Sequence, residues 1–237
     1  MLDRRCYLLI ECSKGREIVT LTAQQLALQQ RYEQALIDYQ ATWQHIDFSL
    51  RELVDQHSWS TLADVHTKVV FVDGVYRSAL VRVLGRGAYM KCATALLATA
   101  PNLQPTVSAL SQFNGQLDVE AAMAAVEAHG QVLNVLPTSK KGKRPRSFAS
   151  KFLHFHKEVV PLYDRRVRIN APNLLSFAGV SATDFTTALN RHPLPHGADP
   201  VYHEHVIRVL LLWQALEVVL APGTLTVKGI DQMLFLG

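Results

Sequence analysis

The stretch Arg146-Ser147-Phe148-Ala149-Ser150-Lys151-Phe152-Leu153-His154-Phe155-His156, followed by Pro161-Leu162-Tyr163-Asp164-Arg165-Arg166, decides the reading of this 237-residue chain. Ser147 is placed to cap a helix from Phe148 to His156. Helical spacing puts Phe148, Phe152 and Phe155 on one face and leaves Lys151 and His154 on a neighbouring one. Pro161 ends that helix. Asp164 opens the next, which runs to about Phe177 with a break or restart at Pro172. Just upstream lies Lys140-Lys141-Gly142-Lys143-Arg144-Pro145, read as a flexible loop, and with Arg146 it holds five cations.

Outward from this block the signals are helical. Thr20 or Thr22 caps a long amphipathic helix that reaches beyond Phe48, and Ser49 to Gln56 continues it or forms a second one. Ser60-Thr61-Leu62-Ala63-Asp64 starts a helix to about Val72, interrupted at Gly74. Tyr76 to Leu84 reads as a short helix or a strand. Ala88 to Thr99 is a small-residue helix stopped by Pro101, and Thr106 to Phe113 is a short one. Asp118 opens a helix that ends at Gly130 as its C-cap, and Val132 to Leu136 extends into a short buried segment. Ser181 or Thr183 caps Phe185 to Asn190. Tyr202 to Leu220 and Val227 to Leu236 are the last two helices, while Cys6 to Ile10 is a strand or a helix end. The expectation is an all-α fold of about ten helices, residues 1–237 forming a single domain without linker or repeat.

Hydrophobic residues make up 49% and charged residues 19%, a globular balance. The net charge of +4 permits a polyanionic partner without requiring one. Cys6, Cys12 and Cys92 make neither a disulfide framework nor a paired zinc pattern, which fits a reduced, cytoplasmic setting. Met1-Leu2-Asp3-Arg4-Arg5 leads into only a short apolar piece broken by Glu11, so no signal peptide is expected. The most apolar window, Val206 to Leu220, contains Arg208, Gln214 and Glu217, and no membrane span is expected there.

Each polar cluster has a functional and a plain reading. The basic run before a helix suits phosphate, because a helix N-terminus adds backbone donors to the Lys and Arg charge, but solvated basic loops are common. Asp164 sits among Lys151, Arg165, Arg166 and Arg168, and neighbouring positive charge favours the carboxylate form. Such a group can activate water or stabilise a developing cation, or simply cap its helix. Lys151 is a nucleophile only if burial lowers its pKa; otherwise it is a surface lysine or a phosphate contact. The pairs His154/His156 and His203/His205 have a spacing that diverges on a helix, so a shared metal would need help from Glu158, Asp164 or His196; no metal is assigned. The chain lacks the nucleophile elbow and alternating strands of a Ser-His-Asp hydrolase. Gly85-Arg86-Gly87 is too little for a nucleotide-binding loop.

Taken as a unit, a basic loop, a helix, a proline and an aspartate opening the next helix resemble the active-site segment of the helix-hairpin-helix DNA glycosylases, most specifically over residues 135–170. Val160-Pro161-Leu162-Tyr163-Asp164 matches that superfamily's apolar-Pro-apolar-Asp stretch. The run Ser147 to Phe155 is also similar to a motif of bacterial proteins of unknown function, some of them in phage-defence systems. The resemblance implies a two-lobed helical fold, with lobes at about 20–135 and 136–237 plus the N-terminal segment. It implies a monofunctional enzyme that extrudes a modified or damaged base from double-stranded DNA and hydrolyses its N-glycosidic bond. Asp164 would then be catalytic, with Lys151 beside it. Tyr76, His154, Phe155 and Tyr163 would form the base pocket. Lys140, Lys141, Lys143, Arg144, Arg146, Ser147 and Arg165 would hold the DNA backbone. Two departures stand out: the hairpin's Gly-x-Gly is absent, and the lysine nucleophile of the bifunctional members has no counterpart, its expected position falling near Arg144 to Arg146 while Lys151 lies too close to Asp164. No four-cysteine cluster follows, so neither an iron–sulfur centre nor another cofactor is expected. The rival readings are a non-catalytic helical nucleic-acid-binding or defence-associated protein, and a metal-dependent nuclease using the histidines.

Overall fold

A computed structural model describes the backbone of residues 6–12 and 15–237, and side chains from Leu21 onward. The expectations for Met1 to Arg5, and for the thiols of Cys6 and Cys12, lie outside the described residues. The ambiguous N-terminal piece is a strand: β1 (Cys6–Cys12) pairs antiparallel with β2 (Gly15–Leu21), Cys6 opposite Leu21. The described residues after it form eleven α-helices, in line with the expected all-α fold of about ten.

Local caps set most of the boundaries. Thr22 caps α1 (Ala23–Thr42) through a reciprocal pair of bonds with Gln25. Trp43 separates α1 from α2 (Gln44–Gln56). Thr61 accepts from the Asp64 N–H at the start of α3 (Leu62–Tyr76), which continues through Gly74, and α4 (Leu80–Leu84) follows after a short loop. Ser181 caps α9 (Ala182–Arg191), Asp199 caps α10 (Pro200–Glu217), and Thr226 caps α11 (Val227–Leu236).

Three further expected breaks are absent, besides the one at Gly74. Pro101 does not stop its helix: α5 (Ala88–Ala109) runs through both Pro101 and Pro105 and ends in a 3-10 turn, Leu110–Phe113. Each proline removes one N–H donor, but both are exposed, where water can take the freed carbonyls, while Ala100, Leu103 and Val107 hold the buried side. Gly130 is not a C-cap either. It lies inside α6 (Val119–Val135), where a Cβ would meet Cα of Ala198 at 2.7 Å, so its role is a close approach of two backbones. Pro172 likewise stays within α8 (Arg165–Phe177), the helix that Asp164 caps.

The central element is α7 (Arg146–His156). Every residue from Phe148 to Phe155 is buried, since α2, α3 and α6 all pack on it. Helical spacing places Lys151 and His154 on a face neighbouring that of the phenylalanines. Enclosure takes Ser150, Lys151 and His154 into the core along with the three phenylalanines. Each buried phenylalanine contributes about 2 kcal/mol, whereas each buried polar group needs a partner. The expected Ser147 cap is also absent: helical geometry begins at Arg146, Pro145 stands at the cap position, and no side chain closes it. The turn before it is not a flexible loop. Ser139 binds the N–H groups of Lys141 and Lys143 through its hydroxyl, and Gly142 takes a left-handed φ of 70°. Thus α6, a tight basic turn and α7 make a helical hairpin. No described helix is long and apolar enough to cross a membrane.

Candidate active site

The segment from Val160 to Asp164 has no regular structure, yet most of its backbone is held by side chains. His154 Nδ1 donates to the Val160 carbonyl at 2.8 Å. The Tyr202 hydroxyl donates to the Pro161 carbonyl at 2.8 Å. Asp231 accepts from the Leu162 N–H at 3.0 Å, and His205 Nε2 donates to the Leu162 carbonyl at 2.8 Å. Ser150 Oγ accepts from the Tyr163 N–H at 3.0 Å. These five side chains are all buried and come from α7, α10 and α11. The clamp delivers Asp164 in one orientation, where Oδ1 accepts from the N–H groups of Arg166 and Val167 and caps α8.

That capping leaves Oδ2 of Asp164 free to face Lys151 Nζ, at 3.6 Å. The Lys151 side chain is only 4% exposed, and its amine donates to the Tyr76 carbonyl at 3.0 Å. Burial pulls the Lys151 pKa below that of an ordinary lysine, against the opposing pull of Asp164. Asp231 is the reverse case: burial pushes its carboxyl well above the usual range despite the Leu162 N–H. Its Oδ2 lies 3.9 Å from His154 Nδ1, but burial also keeps that imidazole neutral, and its Nδ1 proton goes to Val160. The contact is therefore not an ion pair.

Lys151 and Asp164 lie at one cleft of about 1130 Å³. Nine lysine or arginine side chains line it against two carboxylates, Asp164 and Asp231. Arg77 comes from the α3–α4 connection and Arg82 from α4, Arg144 and Arg146 from the hairpin turn and the start of α7, and Arg165, Arg166 and Arg168 from α8. Lys151 and Lys228 complete the set. Some of this charge is already balanced: Arg146 Nε binds both oxygens of buried Asp199, at 2.8 and 2.9 Å, and Lys228 pairs with buried Asp47 at 2.5 Å. Among the described residues, Arg77, Arg82, Arg165, Arg166 and Arg168 have no carboxylate within ion-pair distance. Arginines gathered around one cleft without counter-charge produce a positive potential that draws in anions. Trp43, Tyr76, Tyr163 and Phe235 supply aromatic surface in the same cleft.

The expected site residues separate into those that reach the cleft and those that do not. Asp164, Lys151, Tyr76, Tyr163, Arg144, Arg146, Ser147 and Arg165 line it together. His154 and Phe155 do not, because enclosure of α7 turns both into the core: His154 holds Val160, and Phe155 packs on Tyr76 at a ring separation of 4.7 Å. Neither side chain is exposed to the cleft. Lys140, Lys141 and Lys143 are exposed on the hairpin turn but outside the cleft lining. Sequence reasoning missed Trp43, Arg77, Arg82, Lys228 and Asp231, and the clamp residues Tyr202 and His205. A polar residue on an otherwise apolar helix face was the available signal for Asp231 and His205. Arg77 sits in a loop where it and Ala79 both adopt left-handed φ (46° and 61°), and nothing in their residue types announces that.

Four of the histidines hold backbone carbonyls. His129 Nε2 donates to the Arg146 carbonyl, His156 Nδ1 to Phe152, and His154 and His205 to the clamp. Among the described residues no three His, Cys, Asp or Glu side chains are grouped to hold a metal ion. No family model matches the chain, and no curated protein or solved structure is significantly similar to it.

Proposed function

We propose that this protein is a DNA glycosylase-like enzyme that hydrolyses the N-glycosidic bond of a modified or damaged base. One observation carries the reading: a fixed carboxylate, Asp164, faces a buried lysine amine in a cleft with nine cations and two carboxylates. The arginines suit the phosphates that flank a nucleotide, and the aromatic surface suits its base. The α6–α7 hairpin, with its tight basic turn, supports the same reading, as a second place to hold the backbone.

The chemistry that follows needs only this chain and water. The extruded nucleotide enters with its sugar over Asp164. As the bond from C1′ to the base nitrogen breaks, the base leaves with the electron pair and takes up a proton. Positive charge grows on the sugar, and the adjacent carboxylate stabilises it. Water adds to C1′ and loses a proton, giving free base and an abasic site. Lys151 holds Asp164 in place and keeps the α3 end, through Tyr76, against α7. Its low exposure and lowered pKa favour a second route, in which the amine itself attacks C1′.

The experiment is incubation with duplexes carrying single modified bases, with free base and abasic sites as the readout and borohydride added in parallel. Base release without a trapped adduct supports water as the nucleophile; a trapped adduct lost in Lys151→Met supports the amine. Salt-sensitive binding without base release from any duplex would make the protein a nucleic-acid-binding module instead.

A further inference from the structure

Trp43 has a placement that packing alone does not require. It ends α1 and begins α2, with φ −110° and ψ −21°, and no glycine or proline forces the break. The backbone is nonetheless satisfied on both sides. The Trp43 N–H donates to the Tyr39 carbonyl at 2.8 Å, and its carbonyl accepts from the Asp47 N–H at 2.9 Å. The half-buried indole lines the cleft beside exposed Ile46. Its ring lies 5.8 Å from that of Tyr76 at 40°.

Tyr76 is in turn fixed from three directions. Its hydroxyl accepts from Lys228 Nζ at 3.2 Å, its ring packs on Phe155, and its carbonyl accepts from Lys151 Nζ at 3.0 Å. The Trp43–Tyr76 surface is therefore rigid at one end and adjoins the lysine–aspartate pair. Arg77, next in sequence, also lines the cleft. Rigid aromatic faces beside unpaired cations are the chemistry that binds unstacked bases on an anionic backbone, with little dependence on base identity.

We propose that Trp43 and Tyr76 form the platform on which an unstacked nucleobase lies while its sugar is held at Lys151 and Asp164. This rests on the functional reading above and deepens it: the occupant is a planar heterocycle on a phosphodiester strand, and Trp43 is a base-contacting residue.

The test uses the intact chain and two single-stranded oligomers of equal length, oligothymidylate and its baseless tetrahydrofuran counterpart. The two carry the same charge, so they differ only in what a platform can hold. Oligothymidylate is expected to quench tryptophan fluorescence and the baseless oligomer is not, and Trp43→Phe is expected to remove most of the quench. Trp43→Ala should weaken oligothymidylate binding about tenfold or more and leave the baseless oligomer unaffected. Equal weakening on both oligomers, or no quench difference between them, overturns the platform. If Trp43→Ala fails to fold, comparing the quench in wild type and Trp43→Phe decides the matter alone. Absence of base release from every duplex, with the oligomer difference intact, removes the enzyme reading and leaves the platform standing.

Discussion

Lys151 Nζ stands 3.6 Å from Oδ2 of Asp164, while Oδ1 of the same carboxylate caps a helix. One oxygen is structural and the other faces the cleft, so the two roles can be separated. Asparagine caps helices about as well as aspartate. Asp164→Asn is therefore expected to melt within a few degrees of wild type and to bind DNA with similar affinity. Its rate of base release in single-turnover assays should fall by about 100-fold or more. Equal rates in the two proteins would remove Asp164 from the chemistry.

The arginines differ in what their loss does. Arg77 and Arg82 line the cleft without carboxylate partners among the described residues. Replacing either with alanine should reduce the slope of log affinity against log salt by about one unit, with little change in stability. Arg146 is bound to Asp199, which is buried and caps α10; burial pushes that carboxyl up, and the Arg146 and Tyr202 bonds bring it below its usual range. Arg146→Ala should destabilise the fold by about 2 kcal/mol, because it leaves a buried charge poorly paired. Salt titrations of binding together with urea melts distinguish the two groups. A stability loss for Arg77→Ala as large as for Arg146→Ala would contradict this division.

Acid should loosen the fold early. Burial lowers His129 and His156 to about 3 and His205 to about 4, from 6.5. The unfolded chain therefore binds protons at these positions, below pH 6.5, that the folded chain refuses. Stability falls as pH drops from 6.5 toward 4, by about 1.4 kcal/mol per pH unit for each such histidine. Asp231, with its raised pKa, acts in the other direction, but it is one group against these three and against His154 and His203, which burial also lowers. Urea melts at pH 7, 6 and 5 should show a steep loss, and His205→Gln should remove roughly one proton from the slope. Constant stability across that range would mean that these imidazoles are not buried neutral.

The contact between α1 and α11 depends on a missing side chain. A Cβ on Gly229 would stand 2.5 Å from the Tyr32 hydroxyl and 2.7 Å from its ring. Tyr32 cannot retreat, since it is fully buried and its hydroxyl accepts from the Thr226 N–H and donates to the Thr224 carbonyl. Helix propensity alone would make Gly229→Ala stabilising by about 1 kcal/mol. Overpacking should win, with a net loss of about 1–3 kcal/mol, readable as a lower thermal midpoint. A gain would show that the two helices can move apart freely.

Some of this architecture was legible in the sequence because it is local. Thr22, Asp164 and Ser181 begin their helices as their types and neighbours suggest, and Val227 to Leu236 is the last helix as read. Pro101 and Gly130 misled for the same reason: each was judged by backbone preference, whereas solvent on one side and Ala198 on the other decide what they do. Asp164 and Lys151 were found because they lie near each other in the chain. Asp231, His205 and Tyr202 were not, because they meet the clamp across long sequence separations. The burial of His154 was not legible either, because it comes from α2, α3 and α6 packing on α7 rather than from the periodicity of α7 itself.

The clamp also orders events in time. Asp164 is oriented by Leu162, and Leu162 is held by His205 of α10 and Asp231 of α11. A ribosome delivers the basic hairpin turn and Lys151 well before either of those helices. A nascent chain can thus display its cations while its carboxylate is still unset, and the reactive arrangement is completed only after α11 has emerged and docked.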